Sequence, residues 1–413
     1  MTRGSAAGAL VYILLVAALL GAPSVPAGGA TGANLPAGRA AVVSSLTQAL
    51  EDYLAARSAA EHVSAASLSV RGVPTSIDVA AGRTRVGGTS PVTPDALFQM
   101  GSNTKAFTAV MLLQLAAEGR LTLDDPLGRW LPQYPAWRDV SIRSLLNMTS
   151  RIPTYDETPY FLRALGSGPD TDWTAPQLVA VVYPTVGPPP PRGPGWIYSN
   201  TNYILAQMII EKATGDSYAN ELTRRLIAPL GLRATYYSQN HYAPQVMAKM
   251  VAGYYFNADP ELRPAASLMG RDVSGLSVSW GQGAGAIAST TSDLAEWVGA
   301  LYEGAVLAPP QRRELLAVVS TASGEPIAKT TLRDPRGFGL AVAQATTAAD
   351  GTYWFYEGET LGYRSLYGYF PARGTIIALA LNSQPTAFPG RNEDRIGALL
   401  ATVYAILRRA GWA

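Results

Sequence analysis

The chain of 413 residues contains no cysteine. Disulfides, lipidation at cysteine, thiol catalysis and cysteine-ligated zinc are thereby excluded, and the folded chain must hold together by packing alone. Histidine is nearly absent as well. Only His62 and His241 occur, with no Gly-x-Ser-x-Gly elbow and no His-Glu-x-x-His pair. A Ser-His-Asp hydrolase and a zinc hydrolase both lack their usual carriers, and the two histidines read as surface or helix-end residues. Charge is sparse: 15% of residues are charged, and 32 basic against 30 acidic side chains leave a net charge of +2. Such a balance points to no nucleic-acid partner. Lysine is scarce too, at positions 105, 212, 249 and 329.

Hydrophobic residues make up 48% of the chain, the composition of a core-rich globular protein. Residues 1–30 read as an export signal: Arg3, an apolar run from Ala6 to about Ala22, then small residues and prolines through Ala27 and Ala30. The run is short for a spanning helix, so a membrane tether follows only if it is retained. A Pro/Gly/Ala linker over 31–38 leads into one large domain over 39–413. Val43, Leu46, Leu50 and Leu54 predict a first helix over 40–58. Alternating runs around Leu68–Val70 and Ser76–Val79 predict a hairpin, and residues 102–118 a helix stopped by Gly119. Helical signals broken by Pro/Gly loops, stiffest over 187–195, continue to about residue 300. Short strands over 338–345, 352–357, 364–370 and 374–381 predict an antiparallel meander, followed by a helix over 393–409. The expected division is an α/β part, 39–105 with 294–413, around a mainly helical part, 106–293.

Three motifs carry chemistry. Ser102-Asn103-Thr104-Lys105 is the chain's single Ser-x-x-Lys, at the head of a helix. Positions i and i+3 share a helical face, so the hydroxyl and the amine can meet, and a desolvated amine can take the serine proton. An isolated match also fits a serine cap followed by a solvated lysine. Tyr198-Ser199-Asn200 supplies a phenol able to shuttle protons and an amide able to bind a substrate carbonyl or hold the lysine; a core tyrosine and a capping asparagine are the plainer reading. Tyr356-Glu357-Gly358-Glu359 lies on a predicted strand, where Gly358 permits close backbone approach. Backbone N–H groups of Ser102 and Glu359 are the candidate oxyanion hole.

In order and spacing these motifs resemble the serine β-lactamase-related superfamily: class C β-lactamases, D-alanyl-D-alanine carboxypeptidases, D-aminopeptidases and esterases. Phe98–Lys105 is similar to its nucleophile segment and Pro194–Asn200 to its Tyr-x-Asn segment. Leu121–Leu127, Ile142–Ser150, Pro229–Leu232, Gly285–Thr290 and Gly362–Ser365 are similar to further blocks. The resemblance implies an α/β plus all-α fold of β-lactamase/transpeptidase type, an antiparallel sheet flanked by helices with an inserted helical domain. It implies Ser102 as nucleophile, Lys105 and Tyr198 as general bases, and Asn200 as a substrate-binding residue, with no cofactor or metal. Substrates would be small esters, amides or peptidoglycan-derived molecules. The third motif departs from the family's Lys-Thr-Gly or His-x-Gly. With Tyr356 in place of a cation, and with Glu357 and Glu359 near the strand end, a free substrate carboxylate should be disfavoured, unless both carboxylates point to solvent on an edge strand. Met148 stands where histidine is common and Arg151 where glycine is common, changes expected to affect a loop more than the chemistry. An exported esterase or amidase is the expectation; a carboxypeptidase or β-lactamase, a D-amino-acid amidase, and a non-catalytic muropeptide-binding module are the alternatives.

Overall fold

The computed structural model describes residues 38–184, 195–256, 265–385 and 395–413. The predicted signal, the linker up to residue 37, and most of the Pro-rich loop lie outside these residues. The first helix, α1, runs Arg39–Glu61 and ends at His62, whose φ of 53° closes it in a left-handed cap. His62 stacks on Phe256, while His241 lies exposed with Nε2 2.8 Å from Asp170.

The predicted hairpin forms as β1 (Ala65–Arg71) and β2 (Ile77–Gly82). Their partner comes from the other end of the chain. The sheet continues with β3 (Val318–Ser320), β4 (Pro326–Ile327), β5 (Arg336–Phe338), β6 (Ala343–Thr347), β7 (Gly351–Glu359), β8 (Arg364–Phe370) and β9 (Thr375–Leu381). Its nine strands pair antiparallel in the order β2-β1-β9-β8-β7-β6-β5-β3-β4. The predicted strand over 338–345 is in fact two, because the chain turns between Phe338 and Ala343 with Ala341 at φ 65°. Strands β3 and β4 have too few residues to show a period of two, and the sequence did not signal them.

Alternation along β9 shows how the sheet is covered. Ile377, Leu379 and Leu381 pack into one core with Leu46 and Leu50 of α1 and Val403 and Leu407 of the C-terminal helix (Arg395–Arg409). Ile376, Ala378 and Ala380 pack into a second core with Trp297 and Leu301 of the helix Thr291–Glu303. A strand buried on both faces reads as a continuous apolar run, as Ile376–Leu381 does. The second core runs on into the helical block, where α2 (Thr104–Ala117) is almost wholly buried. Among the described residues no helix is long and apolar enough to cross a membrane.

One buried ion pair ties α1 to the sheet. Arg364 of β8 donates to Glu61 at 2.7 Å and to the Ser383 carbonyl at 2.9 Å, and Tyr53 donates to the same Glu61 carboxylate at 2.9 Å. Removing one partner strands a charge in the interior, a loss of ~3–5 kcal/mol, whereas removing both together is far milder. Denaturant unfolding should show Arg364→Met destabilised by about that amount and most of it recovered in Glu61→Gln/Arg364→Met.

Candidate active site

Ser102 sits in a single 3₁₀ turn, Gly101–Asn103, that leads directly into α2. The turn is clamped to the end of β7. Gly101 adopts φ +49°, and a Cβ there would come within 2.6 Å of the Glu359 backbone nitrogen. A Cβ on Gly358 would stand 1.9 Å from the Met100 carbonyl oxygen. Both positions therefore require glycine, and the strand backbone lies against the turn because they have it. Ser365, opposite Gly358 in register, locks the two: its Oγ donates to Met100 O at 2.9 Å and accepts from Asn103 Nδ2 at 2.7 Å.

Lys105 is fully buried one turn further on. Its Nζ donates to Ser102 Oγ at 2.8 Å and to the Ala284 carbonyl at 2.9 Å. Burial brings its pKa down to about 7, against an upward pull from the charge of Asp156. The sequence reading offered Asn200 as the group that holds this lysine; the Ala284 carbonyl does so instead. That carbonyl is presented by the short turn Gln282–Gly285, which begins with Gln282 buried at φ 38°. Gln207 stabilises this strained backbone: its Oε1 accepts from Gly283 N at 2.7 Å and its Nε2 donates to Gln282 Oε1 at 3.2 Å. No residue identity marks this carbonyl in the sequence, because any residue type carries one.

Tyr198 closes the group. Its hydroxyl is 2.7 Å from Ser102 Oγ, and Lys105 Nζ lies 5.0 Å from its ring centroid. Burial pushes the phenol well above its ordinary value; hydrogen bonding to Ser102 and Tyr356 pulls it back, and the charges of Asp156 and Glu359 push it up again. The phenol is thus neutral at ordinary pH and the amine is the group poised to titrate. Met148 fixes the segment on both sides, its carbonyl accepting from Ile197 N at 2.9 Å and its Sδ from Ser199 N at 3.3 Å. Met148 and Arg151 both take left-handed backbone, φ 66° and 63°. At 151, where glycine would be relaxed, arginine therefore carries some strain.

Asn200 opens the helix Asn200–Thr214 and donates from Nδ2 to Asp156 Oδ2 at 2.7 Å. Asp156 also accepts from Thr154 Oγ1, and Thr154 Oγ1 in turn accepts from Asn200 N at 3.1 Å. The sequence reading passed over Asp156. No spacing rule singles out one aspartate in a loop.

The third motif lies on β7, a central strand whose last residues become an edge: β6 pairs with β7 only as far as Phe355, so 356–359 pair with β8 alone. Tyr356 and Gly358 face the nucleophile turn. Tyr356 is buried against Phe338, with ring centroids 5.8 Å apart. Alternation sends the intervening side chains the other way. Glu359 accepts from Gln384 at 3.4 Å, and Glu357 stands at the rim of a small cavity lined by Trp196, Tyr198, Phe338 and Tyr356. Glu357 thus stays beside the cavity that Tyr198 and Tyr356 line, whereas Glu359 is exposed at the strand end. The cleft is anionic, but Asp156 is the larger source of that field at Tyr198 and Glu359 the smaller.

These features agree with known proteins. The family model described as Beta-lactamase matches residues 49–402. Penicillin-binding protein 4* of Bacillus subtilis (strain 168) is 28% identical over 307 residues, covering 72% of this chain and 63% of that protein. Protein flp of Staphylococcus aureus (strain NCTC 8325 / PS 47) is 27% identical over 212 residues, 50% of this chain and 38% of that one. The chain thus spans less than two thirds of the length of these curated relatives. Among solved structures, a D-stereospecific amidohydrolase from Streptomyces sp. is 30% identical with a TM-score of 0.68, covering 82% of this chain and 94% of its own. D-amino acid amidase from Ochrobactrum anthropi SV3, complexed with L-phenylalanine, shares the fold at a TM-score of 0.75 and 24% identity, covering 89% and 99%. With an antiparallel sheet flanked by helices, a Ser-x-x-Lys turn at a helix head and a family match over most of its length, the chain belongs to the Beta-lactamase family.

Proposed function

We propose that this serine hydrolase is exported and cleaves amide or ester bonds of small molecules through an acyl-enzyme on Ser102, and that it is a poor β-lactamase. The observation that carries the reading is the unbroken contact from Lys105 Nζ through Ser102 Oγ to Tyr198 OH, 2.8 and 2.7 Å. Export rests on the apolar run near the N-terminus, and the amide preference is supported by the similar Streptomyces amidohydrolase.

In this reading neutral Lys105 accepts the hydroxyl proton as Ser102 Oγ bonds to the carbonyl carbon. The carbonyl oxygen gains charge against the N–H groups of Ser102 and Glu359. Tyr198, protonated, gives its proton to the leaving nitrogen or oxygen as that bond breaks, and recovers one from the Lys105 ammonium. Water then repeats the sequence on the acyl-enzyme, with Lys105 again the acceptor and Ser102 the leaving group. Asn200, Tyr356, Glu357 and Gly358 line the substrate's path along the β7 edge. Likeness to a penicillin-binding protein favours a second reading, a carboxypeptidase or β-lactamase. The absence of a cation at Tyr356 and the negative field of Asp156 and Glu359 weigh against it, since a carboxylate meeting a carboxylate at ~4 Å costs on the order of 4 kcal/mol at a partly screened site.

Intact mass spectrometry after treatment with a fluorophosphonate should show one adduct, on Ser102, and none in Ser102→Ala; a labelled penicillin should add little. The same variant should lose turnover of p-nitrophenyl acetate by ~10³-fold or more. Turnover retained in Ser102→Ala sinks the assignment, and efficient penicillin cleavage sinks the charge argument. A pH–rate profile is the second test. Since the working form of Lys105 is the neutral amine, kcat/KM should rise about tenfold per pH unit below its pKa and level off above it, with the bend near about 7. A profile that stays flat through that region would remove Lys105 as the base.

A further inference from the structure

Helix α2 and the helix Asn200–Thr214 are joined through a turn that belongs to neither, Gln282–Gly285. All four residues of the turn are buried, and Gln282 stands at φ 38°, where a side chain is strained. A turn of this kind persists only when its surroundings hold it. Thr108, on α2 with Lys105, donates to the Gly283 carbonyl at 2.7 Å. Gln207, from the other helix, accepts from Gly283 N at 2.7 Å. Gln207 is itself oriented from several directions. Its Oε1 also accepts from the Tyr237 hydroxyl at 3.5 Å, and its Nε2 donates to Gln282 Oε1 at 3.2 Å and to Glu211 Oε1 at 3.3 Å. The Gly283 amide can only donate and an ionised Glu211 can only accept, so both contacts select the same orientation of the Gln207 amide. Tyr218 N, donating to the same Glu211 oxygen at 3.2 Å, holds that carboxylate in place. A Cβ on Gly283 would lie 3.0 Å from Gln207 Cβ, so the turn backbone rests directly on this side chain.

The residue after Gly283 is Ala284, whose carbonyl accepts from Lys105 Nζ at 2.9 Å. The amine has Ser102 Oγ as its other acceptor, and that atom changes partners during the reaction while the Ala284 carbonyl does not. The remaining groups around Nζ are the rings of Tyr198 and Tyr203, 5.0 and 5.6 Å from it, and the charge of Asp156. We propose that Gln207 is a positioning residue for the reaction: by holding the strained turn it keeps the Ala284 carbonyl on Lys105 Nζ and so aims the amine at Ser102. This rests on the serine-hydrolase reading above and deepens it. The effect of Gln207 passes through the backbone of residues 283 and 284. Without its amide, the buried Gly283 N–H loses its acceptor and Gln282 is released from positive φ; the turn relaxes and the Ala284 carbonyl leaves the amine. An ammonium loses more from a missing acceptor than a neutral amine does, so the Lys105 pKa falls further as its aim is lost.

The test compares the full chain with Gln207→Met, which keeps the length of the side chain and removes its amide. Turnover of p-nitrophenyl acetate on the alkaline plateau should fall about 30-fold in both kcat and kcat/KM, leaving KM within about twofold. The bend of the kcat/KM profile should move down by about half to one pH unit. Labelling of Ser102 by a fluorophosphonate, which relies on the same base, should slow by a similar factor and carry the same shift. A variant with wild-type rates overturns the proposal. So does one that loses rate with the bend unmoved, the mark of a merely structural role, or one whose loss is carried in KM. Should Gln207→Met fail to fold, by circular dichroism and thermal unfolding, Gln207→Asn takes its place: its amide stops one methylene short of Gly283, and the same loss and the same shift are expected. Failure of the underlying reading looks different, with wild-type Ser102 unmodified by fluorophosphonate and no ester turned over, and it removes both.

Discussion

A primary amine in the protein interior is the constraint on which the site depends. Lys105 is fully buried, and its hydrogen-bond partners are two neutral oxygens, Ser102 Oγ and the Ala284 carbonyl. Desolvation disfavours the charged form, and this is what makes a strongly basic amine available as a neutral acceptor near pH 7. The surrounding structure can be understood as keeping that amine dry and aimed. The turn that presents Ala284 holds Gln282 in left-handed backbone, and Gln207 satisfies the buried Gly283 amide and the Gln282 side-chain oxygen of that turn. Two glycines let β7 close over the nucleophile turn. Each of these features costs stability locally, and the large apolar core shared by α2 and the helical block offsets it.

The remaining electrostatics oppose that desolvation only in part. Asp156 lies near enough to raise the lysine's affinity for a proton, yet burial remains the larger influence. Tyr198 experiences burial as a neutralising influence too, so the pair divides naturally into a titrating amine and a protonated phenol. The division of labour proposed above, open from the motifs alone, rests on their surroundings: both are buried, burial favours the neutral form in each, and the neutral form is a base for lysine and an acid for tyrosine.

Much of the layout was legible in the sequence. The helix behind Ser102, the hairpin, the strands over 351–359, 364–370 and 375–381 and the last helix follow from apolar periodicity, which is strong in long elements buried on one or both faces. The Ser-x-x-Lys and Tyr-x-Asn residues were found because their chemistry belongs to side chains. What escaped was of two kinds. Backbone groups such as the Ala284 carbonyl leave no mark on residue identity. Side-chain direction at the third motif depends on register: along a strand that is central for most of its length and an edge for its last residues, Tyr356 and Gly358 fall on one face and Glu357 and Glu359 on the other. Asp156 belongs to a loop, where spacing carries little information.

The sheet joins residues from opposite ends of the chain, with Ala66 beside Leu381 in register, and the end of β7 packs its Glu359 against Gly101 of the nucleophile turn. During synthesis neither contact can form until nearly the whole polypeptide has emerged. A nascent or truncated chain would carry Ser102 and Lys105 without the strand backbone that closes over the nucleophile turn. On the proposed mechanism reactivity is thereby tied to completion, because the Glu359 N–H of the oxyanion hole arrives only with the last strands.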